Sequence, residues 1–387
     1  MYNPNGNMNI CIISPHYPYM DNMSYVFVKK LVDEWARMGH RCVVLTPFSL
    51  TSYFRRINPF VPVHYTDDTV TDNPVEVYNP RYVSLPRLHL WGFEVNSCVV
   101  SRVLYGTLKE MGFIPNLIYC HFFRSAVAGW YISKKLNVPV FVASGESAIG
   151  EIFSPSWNFS LELFRHDVRG CICVSTKNKD EAISAGLVDE EKCAVFPNGT
   201  DLSVFQKKDR AECRQKLGLN QRDFIVACVG GFVERKGQKR IVEAIRKIGN
   251  PNVKLMFIGS GNMPLEHESI VFKARVNNTA LPDYLNAADV FCLPTLAEGC
   301  CNAIIEAMAC GLPVISSDLP FNHDVLDADN SILVDPLDIS AISRAILKLY
   351  EHPELRMRFS RVSLERSRSL SIEQRSKDIL SFIEYRM

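Results

Sequence analysis

The sequence predicts an α/β protein of two doubly wound domains, each built on a parallel sheet, that face each other across a cleft. Short apolar runs alternate with helical patterns in the first half of the chain, and the alternation starts again in the second half. The chain has 387 residues, which suffices for two domains at roughly 150 residues each. Strands that alternate with helices form βαβ units and parallel sheets, whose ligands bind beyond the carboxyl ends of the strands.

The first domain is predicted to span residues 1–200. Apolar side chains share one helical face over residues 28–38, and Gly39 then ends that helix. Residues 50–86 are less regular, and we expect them to form a long excursion from the domain. Buried strands are expected at residues 10–13, 42–46, 117–120, 138–143 and 171–174.

The second domain is predicted to span residues 201–370. A polar turn that begins with Pro197-Asn198-Gly199-Thr200 connects it to the first. Its clearest helical pattern covers residues 339–350. Buried strands are expected at residues 224–229, 253–258, 290–293 and 314–316.

Composition excludes several classes of protein. The formal net charge of +1 gives no general attraction to nucleic acid. The 13 cysteines show no zinc-finger spacing, so we expect free and mostly buried thiols in a reducing compartment. Residues 1–9 lack the pattern of a signal peptide, and no apolar run reaches the roughly 18 residues of a transmembrane helix. We therefore expect a cytoplasmic protein.

The most informative segment covers residues 297–318, which predict a loop, a helix, a stop and a strand. The loop contains Glu298 and Gly299, and the helix begins near Asn302 and ends at Gly311. The backbone N–H groups at the start of a helix have no helical acceptor and carry partial positive charge. We therefore expect this loop to bind phosphate.

Two carboxylates accompany that helix. Glu298 lies just before it and Glu306 lies within it. A carboxylate accepts two hydrogen bonds, so it suits the paired hydroxyls of a ribose or a hexose. Either glutamate alone would more often be a solvated side chain of an ordinary α/β unit, but the complete run around both favours a binding site.

A second candidate element covers residues 229–237. A strand ends in the pair Gly230-Gly231, and Arg235 and Lys236 follow on a loop that opens the next helix. Two cations in such a loop suit a diphosphate. A basic loop is as often only solvated surface.

With these motifs the sequence resembles the retaining glycosyltransferases of family 4, which have the GT-B fold of two Rossmann-like domains. Glu298 and Glu306 match that family's pair of glutamates with seven residues between them. The similarity is strongest over residues 190–340 and covers nearly the whole chain. It also includes Pro197-Asn198-Gly199-Thr200-Asp201, Lys236-Gly237, Gly259-Ser260-Gly261 and Leu281-Pro282-Asp283-Tyr284.

The resemblance implies transfer of a hexose from a UDP- or GDP-linked sugar to a saccharide or lipid-linked acceptor, with retention of the anomeric configuration. Glu298 would hold hydroxyls of the donor sugar, and Glu306 would hold the ribose. His121 matches the family's histidine in the cleft and would touch the reacting sugar or the acceptor, although alone it would often be a structural residue at a strand end. The diphosphate would be neutralised by Arg235, Lys236 and the N–H groups of Gly299, Cys300, Cys301 and Asn302.

The resemblance also implies a reaction without a metal ion or a separate cofactor. No metal and no cofactor besides the nucleotide sugar is needed, because the protein's own cations stabilise the leaving group. Asp327-Ala328-Asp329 is therefore interpreted as a chance match to a metal-binding pattern. A helix at about residues 371–387 is expected to return to the first domain, as is usual in this fold.

The sequence departs from the family pattern at three places, two in the first domain and one in a donor loop of the second. The loop after the first strand, residues 14–24, has no glycine, which puts a phosphate contact from the first domain in doubt. Gly231 stands where the family often has arginine. Ser144-Gly145-Glu146 stands where many members have His-Gly-x-Asp. We interpret these departures as signs of a specialised acceptor, with a degraded enzyme as the alternative.

Alternatives to transfer remain open at this point. A sugar-nucleotide epimerase on a similar fold would turn over a UDP-sugar without an acceptor, and a scaffold would bind the nucleotide sugar without reaction. A dinucleotide-dependent dehydrogenase is disfavoured because the first loop lacks G-x-G-x-x-G. Arg55 and Arg56 beside aromatic residues leave open a peripheral contact with the inner face of a membrane, for which a plain surface loop is the simpler interpretation.

Overall fold

The computed structural model describes residues 6–20, 24–55, 60–84, 92–149 and 158–387, apart from the side chains of residues 92–98 and 158–160. The chain divides into two units. The first consists of Met1–Phe196 and Ser376–Met387, and the second of Pro197–Arg375.

The first unit is built on an eight-stranded sheet with the order β10-β9-β8-β7-β1-β2-β5-β4. All neighbours in it are parallel except β4 and β5. A further pair of short strands, β3 and β6, lies outside it. The strands are β1 (Asn9–Ile13), β2 (Arg41–Leu45), β3 (Phe48–Ser49), β4 (His64–Asp67), β5 (Val75–Tyr78), β6 (Arg81–Tyr82), β7 (Leu117–His121), β8 (Val140–Ser144), β9 (Gly170–Cys173) and β10 (Cys193–Val195).

Helices cover both faces of this sheet, which explains why its strands are apolar without alternation. In β1, Cys11 and Ile13 pack into one core cluster, whereas Ile10 and Ile12 pack into another. The helices are α1 (Val26–Arg37), α2 (Leu50–Phe54), α3 (Gly92–Glu110), α4 (Phe123–Leu136), α5 (Asn158–Asp167), α6 (Thr176–Ser184) and the last helix of the chain, α13 (Ile372–Arg386).

The chain returns to the first unit through α13. Ile379 and Ile383 are fully buried in the same core cluster as Trp35 of α1. The indole Nε1 of Trp35 also donates a hydrogen bond to the carbonyl of Ser376 at 3.3 Å. The end of the chain thus contributes to the core built by its beginning.

Within residues 50–86, the predicted excursion is wrong for residues 64–78, which form a hairpin of the central sheet. They contribute β5, which pairs with β2, and β4, which closes the edge of the sheet. The strands are short and only half-buried, with Val75 and Val77 turned inward. Such an edge hairpin has too few apolar positions to be recognised from its own sequence.

The second unit has a six-stranded parallel sheet with the order β13-β12-β11-β14-β15-β16. The four predicted strands are confirmed, and two edge strands are added. The strands are β11 (Phe224–Val229), β12 (Val253–Ile258), β13 (Ile270–Ala274), β14 (Val290–Leu293), β15 (Val314–Ser317) and β16 (Ser331–Val334). The helices are α7 (Arg210–Leu217), α8 (Gln238–Ile248), α9 (Leu281–Ala287), α10 (Asn302–Ala309), α11 (Ile339–Glu351) and α12 (Pro353–Ser367).

Both sheets reverse their strand order once. The reversal lies between β1 and β7 in the first unit and between β11 and β14 in the second. Loops that leave the carboxyl ends of two such strands diverge to opposite faces and leave room for a ligand. The predicted fold class of two parallel-sheet α/β domains is confirmed. Among the residues that the structure describes, no helix has the length and apolarity needed to cross a membrane.

Candidate functional site

The candidate site of the second unit lies where β11 and β14 end. The chain leaves β14 through Pro294 and Thr295, passes Glu298 and Gly299, and enters α10 at Asn302. The helix has Cys301 as its N-cap residue, and the Cys301 carbonyl accepts the N–H of Ile304 at 3.1 Å. The preceding N–H groups, of Asn302 and Ala303, have no helical acceptor. The predicted strand, loop and helix are confirmed.

Glu298 is the centre of a charged cluster in this loop. Its Oε1 accepts hydrogen bonds from Nη1 of Arg235 at 2.8 Å, Nζ of Lys236 at 2.5 Å and Oγ1 of Thr295 at 2.9 Å. Oε2 accepts none from the described residues. The structure thus joins three of the predicted site residues, although 62 positions of sequence separate Lys236 from Glu298.

Lys236 is held as a cation. Burial alone would lower the pKa of its ammonium group, but Cys301 and the Glu298 carboxylate outweigh burial and raise that pKa. Arg235 is anchored from the same side, because its Nη1 also donates to the carbonyl of Ala297. The loop therefore presents two fixed positive charges beside one carboxylate.

The start of α10 supplies further polar groups. Oδ1 of Asn302 is buried and accepts no hydrogen bond from the described part of the chain. Glu306, one turn further along the helix, is only 9% exposed. A buried polar atom without a partner costs free energy unless a ligand or water satisfies it, so Asn302 marks a place where a ligand donor fits.

The two cysteines of the loop contribute backbone rather than thiol chemistry. Burial raises the pKa of Cys300 to about 12 and that of Cys301 to about 11, so both thiols are protonated at neutral pH. The carbonyl of Cys300 accepts a hydrogen bond from Nδ2 of Asn198 at 3.0 Å. The segment that was predicted as a connecting turn therefore also braces the site loop.

Glycines bring the loops after β11 and β12 into close contact. Gly259 has a φ of +154°, and a Cβ atom there would lie 2.0 Å from the carbonyl oxygen of Gly230. Only glycine fits this approach. Gly231 is different, because the nearest atom to a Cβ at that position is the carbonyl oxygen of Ser260 at 3.8 Å. Its small size is not required by packing.

Sequence reasoning missed three residues that brace the site. Thr295 is fully buried and bonds Glu298, and Asn198 bonds the loop backbone. Arg240 of α8 donates from Nη2 to the carbonyl of Pro294 at 2.9 Å. None of them belongs to the charged motifs. Thr295 lies three residues before Glu298 on the same loop, whereas Arg240 is 54 positions from Pro294 and Asn198 is 102 positions from Cys300.

His121 belongs to the first unit, whereas all the candidate donor residues belong to the second. It is the last residue of β7, next to the reversal of strand order, and it is 5% exposed. Its ring lies 4.4 Å from the ring of Phe122 and 5.0 Å from that of Phe27, measured between centroids. The position at a strand end agrees with the sequence, and the aromatic enclosure was not foreseen.

Glu146 explains one departure from the family pattern. Its Oε1 accepts the N–H of Phe123 at 2.8 Å, and its Oε2 accepts the Ser144 hydroxyl at 3.0 Å and the N–H of Gly145 at 2.9 Å. Burial raises the pKa of this carboxyl despite these bonds. Glu146 therefore positions the start of α4, directly after His121.

The loop after β1 is held by its own backbone. The N–H of Ser14 donates to the carbonyl of Leu45 at 3.1 Å, and its hydroxyl donates to the carbonyl of His16 at 2.7 Å. Residues 21–23 of the predicted glycine-free loop lie outside the described residues. In the described part, Ser14 and Tyr17 are both buried.

A cavity of about 900 Å³ lies elsewhere in the second unit. It is bordered by Cys310 and Gly311 at the end of α10 and by Arg356 and Arg361 of α12. Since Glu298 and Asn302 are at the opposite end of α10, this cavity is separate from the candidate site.

Comparison with known proteins agrees with this geometry. Residues 26–204 match the family Glycosyltransferase Family 4, and residues 209–365 match the family Glycosyl transferases group 1. TuaC of Bacillus subtilis, a glycosyltransferase named provisionally for teichuronic acid biosynthesis, is 29% identical over 289 residues, which are 73% of this chain and 72% of TuaC.

Two further proteins extend the comparison. An Escherichia coli galactosyltransferase, named for transfer from UDP-Gal to α-D-GlcNAc-diphosphoundecaprenol, is 26% identical over 273 residues, 64% of this chain and 68% of that protein. The structure of HepE from Anabaena with UDP-glucose superimposes with a TM-score of 0.73 at 17% identity, over 98% of this chain and 100% of HepE. The likeness to HepE concerns the fold. From the two family matches and these relatives, we conclude that the chain belongs to glycosyltransferase family 4, a GT-B family of glycan biosynthesis.

Proposed function

We propose that the protein moves a hexose from a UDP- or GDP-linked sugar to a saccharide or lipid-linked saccharide, with retention of the anomeric configuration and without a metal ion. The donor is bound by the second unit. Glu298 holds hydroxyls of the donor sugar, Glu306 holds the ribose, and Arg235 and Lys236 neutralise the diphosphate. His121 touches the reacting sugar or the acceptor.

The contact set of Glu298 carries this proposal. Arg235 and Lys236 meet one oxygen of its carboxylate, while Oε2 accepts no hydrogen bond from the described residues. A bound diphosphate offers the two cations a second anionic partner. Oε2 is then the acceptor that a sugar hydroxyl needs. One loop thus provides both halves of donor recognition.

The same charges support reaction without a metal. Two fixed cations and the N-terminus of α10 stabilise the negative charge that develops on the leaving diphosphate. With retention, the acceptor attacks from the face that the diphosphate leaves, and the diphosphate takes the acceptor's proton. No carboxylate nucleophile is required for that course.

The names of the relatives suggest which substrates to try first. HepE has been solved with UDP-glucose, and the E. coli relative is named for UDP-Gal and a diphosphoundecaprenol acceptor. We propose UDP-linked hexoses as the first donors and undecaprenol-linked saccharides as the first acceptors. GDP-linked donors remain in the test.

A lipid-linked acceptor requires the protein to reach a membrane, and we propose that the first unit makes this contact peripherally. Phe54 and Phe60 are 77% and 63% exposed, and both rings lie within 6.0 Å of the Tyr53 ring. Arg55 beside them is exposed, and Arg56 lies outside the described residues. In sedimentation with anionic vesicles at low salt, the parent protein should pellet with the vesicles, whereas Phe54→Ser should stay in the supernatant. No binding by the parent would disprove the contact.

Donor binding is tested by a thermal-shift panel of UDP, GDP, ADP and their common sugars. A ligand at about 100 times its dissociation constant stabilises the folded protein by about 2.7 kcal/mol, which is readily seen as a higher melting temperature. We expect a shift with one nucleotide that is lost in Glu306→Ala. Replacement of the exposed Glu351 serves as the matched control. If no nucleotide shifts the parent, the second unit does not bind a donor unaided and the proposal fails.

A further inference from the structure

Three cysteines of the first unit converge on one face of its sheet. Cys171 and Cys173 are two residues apart on β9, so their side chains point to the same face. β10 is parallel to β9, and its register places Cys193 directly beside Cys171. The three thiols therefore meet because of strand pairing, not because of a motif in the sequence.

The sulfur atoms are as close as ligands of one metal ion. Sγ of Cys171 lies 3.6 Å from Sγ of Cys173, and all three sulfurs lie within 4.8 Å of one another. Since a Zn–S bond is about 2.3 Å long, two sulfurs bound to one zinc ion lie roughly 3.8 Å apart. Small side-chain rotations would suffice to reach that spacing.

The surroundings suit a soft cation. Cys171 and Cys173 are fully buried among apolar side chains, and Cys193 is partly exposed, so one side of the cluster is open to solvent. A thiolate is the form of cysteine that binds a metal, so binding displaces the protons of the three thiols.

We infer that Cys171, Cys173 and Cys193 bind one thiophilic metal ion, Zn²⁺ or Cu⁺, at the edge of the first unit's sheet. Three metal–sulfur bonds form, and the three thiol protons pass to solvent. For Zn²⁺, water occupies a fourth position on the open side. Cu⁺ is satisfied by three soft sulfur ligands alone.

The ion would stabilise a short edge strand of this sheet. β10 has only three residues, pairs with β9 on one side and ends directly before Phe196, the last residue of the first unit's long segment. A metal bound to both strands stabilises that pairing, because an ion that binds the folded state alone adds to its stability. This role is independent of sugar transfer, so its test does not depend on the proposed function.

Cadmium is the probe for the test, because thiolate-to-cadmium charge transfer is visible in the ultraviolet. The reduced full chain is titrated with Cd²⁺, and Zn²⁺ is then added in competition. We expect one strongly bound Cd²⁺ per chain that Zn²⁺ displaces. Cys193→Ser should weaken binding at least about 100-fold, since loss of a direct ligand exceeds the effect of a second-shell partner. Cys213→Ser, a buried thiol of the second unit, is the control and should bind like the parent.

A second measurement protects the test from misfolding of the variant. In the parent protein, Zn²⁺ should slow alkylation of Cys193 at least tenfold, as followed by mass spectrometry of its peptide. The site is rejected if Cys193→Ser and the parent bind Cd²⁺ equally, if Zn²⁺ leaves the alkylation rate of Cys193 unchanged, or if mild oxidation joins two of the three cysteines while Zn²⁺ fails to prevent it.

Discussion

The two sheets reverse their strand order in the same way, yet the two reversals carry different chemistry. In the second unit, charged side chains and glycines fill the loops after β11 and β14, with Glu298 bonded to Arg235 and Lys236. In the first unit, the loops after β1 and β7 are lined by rings, with His121 between Phe27 and Phe122. The shared topology fixes where a site can form, at the reversal of strand order. The residues of the loops there decide which ligand the site binds.

Under the proposed function, the donor binds at the reversal of the second unit and the acceptor at that of the first. A nucleotide diphosphate is charged and needs fixed cations and N–H groups, which the second unit provides. Saccharides stack well on rings and need few charges, which fits the first unit. The following predictions test whether substitutions at one reversal leave the function of the other unchanged.

The largest effect is expected for Glu298→Ala. Turnover of the donor should fall by roughly 10²–10³, as when one preorganised polar group of an active site is lost. Binding of the free nucleoside diphosphate should persist, because Arg235 and Lys236 remain. Glu234→Ala, on the same loop but with a side chain that is 66% exposed, is the control. Turnover within a few-fold of the parent would show that the carboxylate is not part of the reaction.

Gly259→Ala should damage the second unit without touching a charged group. The new Cβ would lie 2.0 Å from the carbonyl oxygen of Gly230, and the backbone conformation suits glycine alone. We expect a loss of about 3 kcal/mol in the free energy of unfolding, measured by denaturant titration. Gly231→Ala has room and should change that free energy by less than about 0.5 kcal/mol. Equal losses in both would contradict the close packing of these loops.

Lys236→Ala should weaken nucleotide binding more than turnover of bound donor. Removing a charge-assisted hydrogen bond costs about 1.5–3 kcal/mol, so the dissociation constant of the nucleotide should rise about tenfold or more. Lys239→Ala, an exposed neighbour, is the control for net charge. Calorimetry of nucleotide binding distinguishes the two. A similar rise of the dissociation constant in both variants would mean that Lys236 acts only through the net charge of the loop and not through a direct contact.

The charge of Lys236 should also be insensitive to pH near neutrality. Its pKa is raised in the folded protein, so its contribution to stability is complete below the unfolded value near 10.5. That contribution is lost only as pH rises through the folded pKa. Nucleotide affinity of the parent should therefore show no Lys236-dependent decline between roughly pH 7 and pH 9. A decline that Lys236→Ala abolishes would be inconsistent with this.

The smallest effect is expected in the first unit, for Glu146→Gln. Glu146 now accepts hydrogen bonds from the N–H groups of Phe123 and Gly145. In the variant, the amide NH₂ would face one of these donors, and that hydrogen bond would be lost. We expect about 1–2 kcal/mol less stability. Turnover with acceptor should also fall, because the start of α4 after His121 shifts. The thermal shift with nucleotide should stay at the parent value. If nucleotide binding fell as well, the separation of the two reversals would be wrong.

Much of the second unit was predictable because its information is local. Its inner strands are contiguous apolar runs, and residues 297–318 encode strand, loop, helix start and stop within one stretch. Helix caps and phosphate-binding loops depend on residues that are close in sequence, so local sequence patterns predict them. The inner strands β1, β2, β7, β8 and β9 of the first unit were predicted for the same reason, as unbroken buried runs.

The contacts of the site were not predictable in that way. That Lys236 bonds Glu298, and that Asn198 bonds the Cys300 carbonyl, depends on how distant segments of the chain pack together. Thr295 lies only three residues before Glu298, but no motif marks their bond. The hairpin of β5 and the edge strand β4 was missed because a half-buried hairpin carries little apolar signal. Strand order is decided by packing of the complete sheet.

The cysteines illustrate the same limit most clearly. Their number and spacing in the chain predict only scattered free thiols, and the pair Cys171 and Cys173 has no motif that marks it. Register between β9 and β10 adds Cys193 from 20 residues away and turns three buried thiols into a cluster. Local sequence determined the strands, the helix start at Asn302 and the family. The tertiary structure decided which side chains meet, because pairing between strands brings together residues that are distant in the chain.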